Sequence, residues 1–98
     1  MNILSVFSFA KGEQYGVTIG QEMKRGKSLE DAIRIAYKEH GIIPVSKIPS
    51  SILFPSVFLS AMGGVVGGYY GQNIGFFNQK LKSALLKVSQ EMINAGES

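Results

Sequence analysis

The chain has 98 residues, a formal net charge of +3 and no cysteine. It therefore holds one domain at most and can form no disulfide, thiolate metal site or cysteine nucleophile. Hydrophobic residues make up 45% and charged residues only 17%, against about 25% charged in ordinary soluble domains. There is no Trp and no cluster of Lys and Arg interleaved with aromatics, which argues against a nucleic-acid partner.

Residues 1–10 place Ile3, Leu4, Phe7 and Ala10 at helical spacing, and Val6 and Phe9 widen that face. The stretch lacks a basic n-region and an A-x-A site, so no secretory signal is expected. It reads either as a short interfacial helix or as the start of a longer one running to about Lys24. The longer version contains Gly12, Gly16 and Gly20. Each costs a free helix about 1 kcal/mol relative to Ala, so that helix needs tertiary support. An alternating strand through Tyr15, Val17 and Ile19 competes with it, and the sequence leaves both open.

Residues 24–27 (KRGK) are a polar break. Ser28 then opens a helix predicted over Leu29–His40. Ser28 can cap it, and Glu30 and Asp31 suit its positive N-terminal end. Leu29, Ala32, Ile33, Ala36, Tyr37 and His40 fall on one face, and Gly41 is the expected stop. Residues 42–51 contain Pro44 and Pro49 and are predicted to be an extended connector.

The next segment dominates the reading. From Ile48 to Gln79, 32 residues, there is no Asp, Glu, Lys, Arg or His. Pro55 suits a first helical turn. The 23 residues from Pro55 to Phe77 would span roughly 34 Å as helix, enough for a hydrocarbon core of about 30 Å. Tyr69, Tyr70, Phe76 and Phe77 gather toward one end, as an aromatic belt would. Gln72 and Asn73 lie near the same end, where an interfacial position is favoured over a pore-lining one.

Within this run Gly63, Gly67, Gly71 and Gly75 repeat every fourth residue. A second small-residue row, Ser56, Ser60, Gly64 and Gly68, runs beside it. On a helix the two rows form one stripe of bare backbone. In lipid the backbone must satisfy itself as helix, and small residues then let a second helix approach closely. The segment resembles the glycine-zipper transmembrane helices of many small membrane proteins. That resemblance covers about 20 residues and implies a helix–helix interface at Ser60, Gly63, Gly64, Gly67, Gly68, Gly71 and Gly75. A Gly-rich soluble loop, or a β-segment turning at each Gly-Gly pair, is the alternative.

After Asn78, Leu81, Ala84, Leu85, Val88 and Met92 recur on one stripe. Gln79, Lys80, Lys82, Lys87, Gln90 and Glu91 cover the rest. This predicts an amphipathic helix ending near Ala95, with Gly96 beyond it. Only Asn78 separates it from the apolar run, so one long continuous helix is also compatible.

Catalytic chemistry is not signalled. His40, the single His, sits where its charge complements a helix C-terminus. Glu39 is its sequence neighbour, and adjacent helical residues do not face each other. Residues 63–68 are no phosphate loop, since no Lys-Ser/Thr follows. Glu22, Glu30, Asp31 and Glu39 read as helix-surface charges. No enzyme activity, cofactor, metal or small-molecule substrate is expected.

The sequence thus predicts an all-α small membrane protein with one central glycine-zipper transmembrane helix flanked by amphipathic helices. Residues 1–47 form the N-terminal helical region, 48–78 the transmembrane segment and 79–98 the C-terminal amphipathic helix. The expected partners are membrane lipid and other transmembrane helices, from a second copy or from other subunits. The expected location is a membrane, crossed once. Orientation is not readable, because Lys38 and Lys47 on one side balance Lys80 and Lys82 on the other. The function expected is structural or assembly: a small subunit of a membrane complex, or a membrane protein of a lipid-containing virion. A membrane-permeabilising holin-like or toxin-like oligomer and a soluble interaction module are the alternatives.

Overall fold

The computed structural model describes residues 3–48 and 74–97. Helix α1 spans Ile3–Lys24, α2 spans Leu29–His40, a 3-10 turn covers Val45–Lys47, and α3 spans Ile74–Asn94. Among the described residues the chain is all-helical, with no strand. No helix among them is long and apolar enough to cross a membrane.

Helix α1 resolves the choice left open between helix and strand. Tyr15, Thr18, Ile19, Glu22 and Met23 are buried, the i, i+3, i+4, i+7, i+8 stripe of an amphipathic helix. A strand would have put Val17 on the face of Tyr15 and Ile19, but Val17 is 43% exposed. The stripe supplies the tertiary support that the glycines require, with Gly16 and Gly20 themselves buried alongside it. Gly26 ends the helix at φ +95°. Its N–H donates to Met23 O at 3.0 Å, and the Lys27 N–H donates to Glu22 O at 3.0 Å. This is a Schellman turn, which needs a residue that tolerates positive φ.

Helix α2 has the predicted bounds. Ser28 adopts extended backbone and its Oγ accepts from the Asp31 N–H at 3.1 Å, satisfying one of the orphan donors of the first turn. Ala32, Ile33, Ala36 and Tyr37 are buried, and Leu29 and His40 lie at the margins. Gly41 closes the helix at φ +102°, its N–H donating to Tyr37 O at 2.8 Å.

The predicted extended connector is corrected in part. Pro44 is extended (φ −60°, ψ 142°), but Val45–Lys47 then wind into a 3-10 turn. The reason is burial: Ile43 and Ile48 both enter the core, and the turn aims both inward. Positions 49–51 of that connector lie outside the described residues.

Helix α3 runs unbroken through Asn78, so no turn separates the amphipathic tail from the end of the charge-free run. Leu81, Ala84, Leu85, Val88 and Met92 are all buried, as their spacing predicts. The helix ends at Asn94, one residue before the expected Ala95 and within the ordinary fraying of helix ends. Gly96 (φ +81°) makes a second Schellman turn, with the Glu97 N–H donating to Met92 O at 2.9 Å.

Helix α2 is the middle element: α1 and α3 both pack on it, and the 3-10 turn packs on α3. One core joins Tyr15, Ile19 and Met23 of α1, Ile33 and Tyr37 of α2, Ile43 and Ile48 of the connector, and Leu81, Leu85 and Val88 of α3. Each large aliphatic side chain buried this way contributes about 1.5–3 kcal/mol.

Candidate functional site

The interface expected from the glycine series falls almost wholly outside the described residues. Ser60, Gly63, Gly64, Gly67, Gly68 and Gly71 are not described. Gly75 alone lies in a described element, at the second position of α3. The central span 48–78 is described only at Ile48, buried in the core, and from Ile74, where α3 begins.

What the structure does define is how the described helices on either side of that segment are tied, first within the N-terminal flank and then between the two flanks. The first tie joins α1 to the end of α2. Helix α1 aims Tyr15 and Thr18 at the C-terminus of α2, whose last carbonyls lack partners within the helix. The Tyr15 hydroxyl donates to Gly41 O at 2.6 Å, and His40 O lies 3.1 Å away. Thr18 Oγ1 is 2.8 Å from His40 Nε2. The Tyr15 ring stands edge-on to His40 at 5.4 Å and to Tyr37 at 6.1 Å, a favourable aromatic geometry. Glu39 Oε2 comes within 3.6 Å of His40 Nε2, too far for a hydrogen bond. His40, read from sequence as a dipole partner at the helix end, is thus also a hydrogen-bond partner of α1.

The second tie joins the connector and α2 to α3. The Tyr37 hydroxyl donates to Leu85 O at 3.0 Å, and the Ser89 hydroxyl donates to Ile43 O at 2.7 Å. Ser89 is fully buried. At the surface, Arg34 bridges Asp31 at 2.8 Å and Glu91 at 2.9 Å, and Lys87 pairs with Glu30 at 3.3 Å. An open groove runs between Leu29 and Ala84 beneath Lys80 and Lys87.

Burial pushes the Tyr15 hydroxyl up to about 12. It raises Tyr37 further, with the neighbouring Tyr15 adding to the effect. Both hydroxyls therefore stay protonated at neutral pH and donate to carbonyls, the opposite of an activated nucleophile or base. Glu22, read as a surface charge, is largely buried and lies 2.6 Å from Arg25. Among the described residues no group of three His or carboxylate side chains comes together to hold a metal.

The Tyr15–Thr18–His40 and Ser89–Ile43 contacts were not anticipated from sequence. A trace of the first was present: Tyr15 and Thr18 lie on the buried i, i+3 stripe of α1, where a polar residue needs a partner. The second joins residues 46 apart, and no local pattern signals it.

No protein-family model, curated protein or solved structure matches the chain.

Proposed function

We propose that this chain is a structural or assembly protein of a membrane, a small subunit of a larger membrane complex or a membrane protein of a lipid-containing virion. It would dock to a neighbouring helix through its glycine face. The observation that carries this reading is the 32-residue charge-free run with four glycines in register. Such a stripe destabilises a free helix in water by about 1 kcal/mol per glycine, but in lipid it favours close helix contact. The described side chains fit the role of a polar-faced platform: at positions 13–46 and 79–97 most apolar residues are turned into a shared core, and among the large ones there Val17 and Ile93 are exposed.

The test has two parts. The chain is expected to stay with membranes through an alkaline carbonate wash. A leucine scan of residues 62–75, read by cross-linking or co-purification, is expected to lose contact at Gly63, Gly67 and Gly71 while Val65 and Val66 tolerate the change. Each lost contact should be worth about 1–2 kcal/mol or less. A monodisperse chain that needs no detergent would end the membrane reading.

A second reading, a soluble interaction module whose glycine-rich run is covered by a second copy, draws on one observation. Ile48 and Leu81, on either side of the run, share one core. The carbonate wash separates the two.

A further inference from the structure

The groove between the first turn of α2 and the middle of α3 encloses about 510 Å³, within the roughly 300–1,000 Å³ usual for ligand sites. Lys80, Ser83, Ala84 and Lys87 line it from α3. Their spacing of i, i+3, i+4 and i+7 puts them on one helical face. Ala84 is buried and Leu29, opposite it on α2, is half-buried, whereas Lys80 and Lys87 are exposed. The groove thus has an apolar floor and a basic rim.

We propose that this groove seats an anionic phospholipid, its phosphate held by the Lys80 and Lys87 amines and its glycerol end lying over Leu29 and Ala84. This rests on the membrane reading above and names the lipid class for it.

Charge complementarity carries the first half of the argument. The charged side chains lining the groove are Lys80, Lys87 and Glu30. Glu30 Oε1 lies 3.3 Å from Lys87 Nζ, so one carboxylate offsets one amine and the lining stays net positive. Lys27, exposed and next in sequence to the lining residue Ser28, adds to that sign. A lysine amine is a compact charge with three donors, suited to a phosphate group. Ser28 Oγ accepts from the Asp31 N–H, and a hydroxyl that accepts at its oxygen can still donate its hydrogen to a phosphate.

The second half is position along α3. That helix begins at Ile74, so residues 74–79 of the charge-free run belong to it, and Lys80 is the first charge after them. The groove therefore starts where α3 passes from charge-free to charged sequence. Lysines at such a boundary reach anionic headgroups while their stems cover apolar surface. A free phosphate or an acidic peptide would match the rim but leave the Leu29–Ala84 floor uncovered, whereas a phospholipid covers both.

The test mixes the full chain, in a neutral detergent, with equal amounts of dioleoyl phosphatidylglycerol and dioleoyl phosphatidylcholine. Retained lipid is read by native mass spectrometry. The wild-type chain is expected to retain phosphatidylglycerol preferentially, each lysine contributing a preference of about five-fold. Lys80→Gln and Lys87→Gln should each lower the preference by about that factor, and Lys80→Arg with Lys87→Arg should keep it. Lys38→Gln removes one charge from an exposed position toward the other end of α2 and should leave it unchanged. Circular dichroism confirms that each variant is folded.

Equal retention of the two lipids by the wild-type chain overturns the proposal. So does a loss as large for Lys38→Gln as for the groove lysines, which would report overall charge alone. Displacement of the lipid by inorganic phosphate or a short polyglutamate peptide would show a site for bare negative charge and overturn the lipid assignment. The carbonate wash keeps the two readings apart. A chain held in membranes without lipid preference overturns this site alone. A chain lost in the wash that still retains phosphatidylglycerol through Lys80 and Lys87 overturns the membrane reading alone.

Discussion

Burial holds Tyr15 and Tyr37 in their neutral forms, and this makes the fold sensitive to alkali. An unfolded tyrosine ionises near pH 10, whereas Tyr15 in the fold does so at about 12. Between those values the unfolded chain has released a proton that the folded chain retains. Stability therefore falls as pH rises through this window and is fully present below about pH 10. Helical circular dichroism is expected to fall together with a rise in tyrosinate absorbance above pH 10. Tyr69 and Tyr70 add their own absorbance, so the comparison is with Tyr15→Phe, which should lose less stability across the window. Tyrosines that titrate fully near pH 10 with helicity unchanged would contradict the buried clasp. Ser28 offers a second check at this scale. Removing its Oγ leaves the Asp31 N–H without its side-chain acceptor, so Ser28→Ala should lower unfolding stability by about 1 kcal/mol in urea titration.

At the scale of elements, each described helix is held by one buried stripe rather than by intrinsic propensity. Helix α1 carries glycines that would unravel it alone, and α3 begins inside a run with no charge to cap or screen it. Their stability therefore depends on α2, the element both pack against. Leu85 is the sharpest probe of that dependence, since it is 1% exposed and its carbonyl also receives the Tyr37 hydroxyl. Leu85→Ala should cost about 2–5 kcal/mol, a large share of the about 5–15 kcal/mol available to a small domain. Ile93→Ala, at a position 45% exposed, should cost far less. Equal thermal shifts for the two would mean that α3 does not pack as described. The two salt bridges between α2 and α3 are exposed and should contribute about 1 kcal/mol or less each, so high salt should leave the bundle folded.

At the scale of the molecule, what could be read from the sequence follows from whether a signal was local. The bounds of α2 were legible because its cap, charges and stop lie within a few residues: Ser28, Glu30 with Asp31, and Gly41. The buried face of α3 was legible because Leu81, Leu85, Val88 and Met92 repeat at the helical period. Helix α1 stayed open because Tyr15, Val17 and Ile19 also alternate, and only the exposure of Val17 decides between the periods. The 3-10 turn at Val45–Lys47 was missed because prolines suggest extended chain, while the demand that Ile43 and Ile48 share a core comes from elsewhere. The charge-free run and the glycine series were determined by the sequence alone, since composition and spacing are properties of the chain itself. That the two flanks of the run meet in one core was decided only by the tertiary structure. Ile48 and Leu81 lie 33 positions apart, and burial is a property of what surrounds a residue in space.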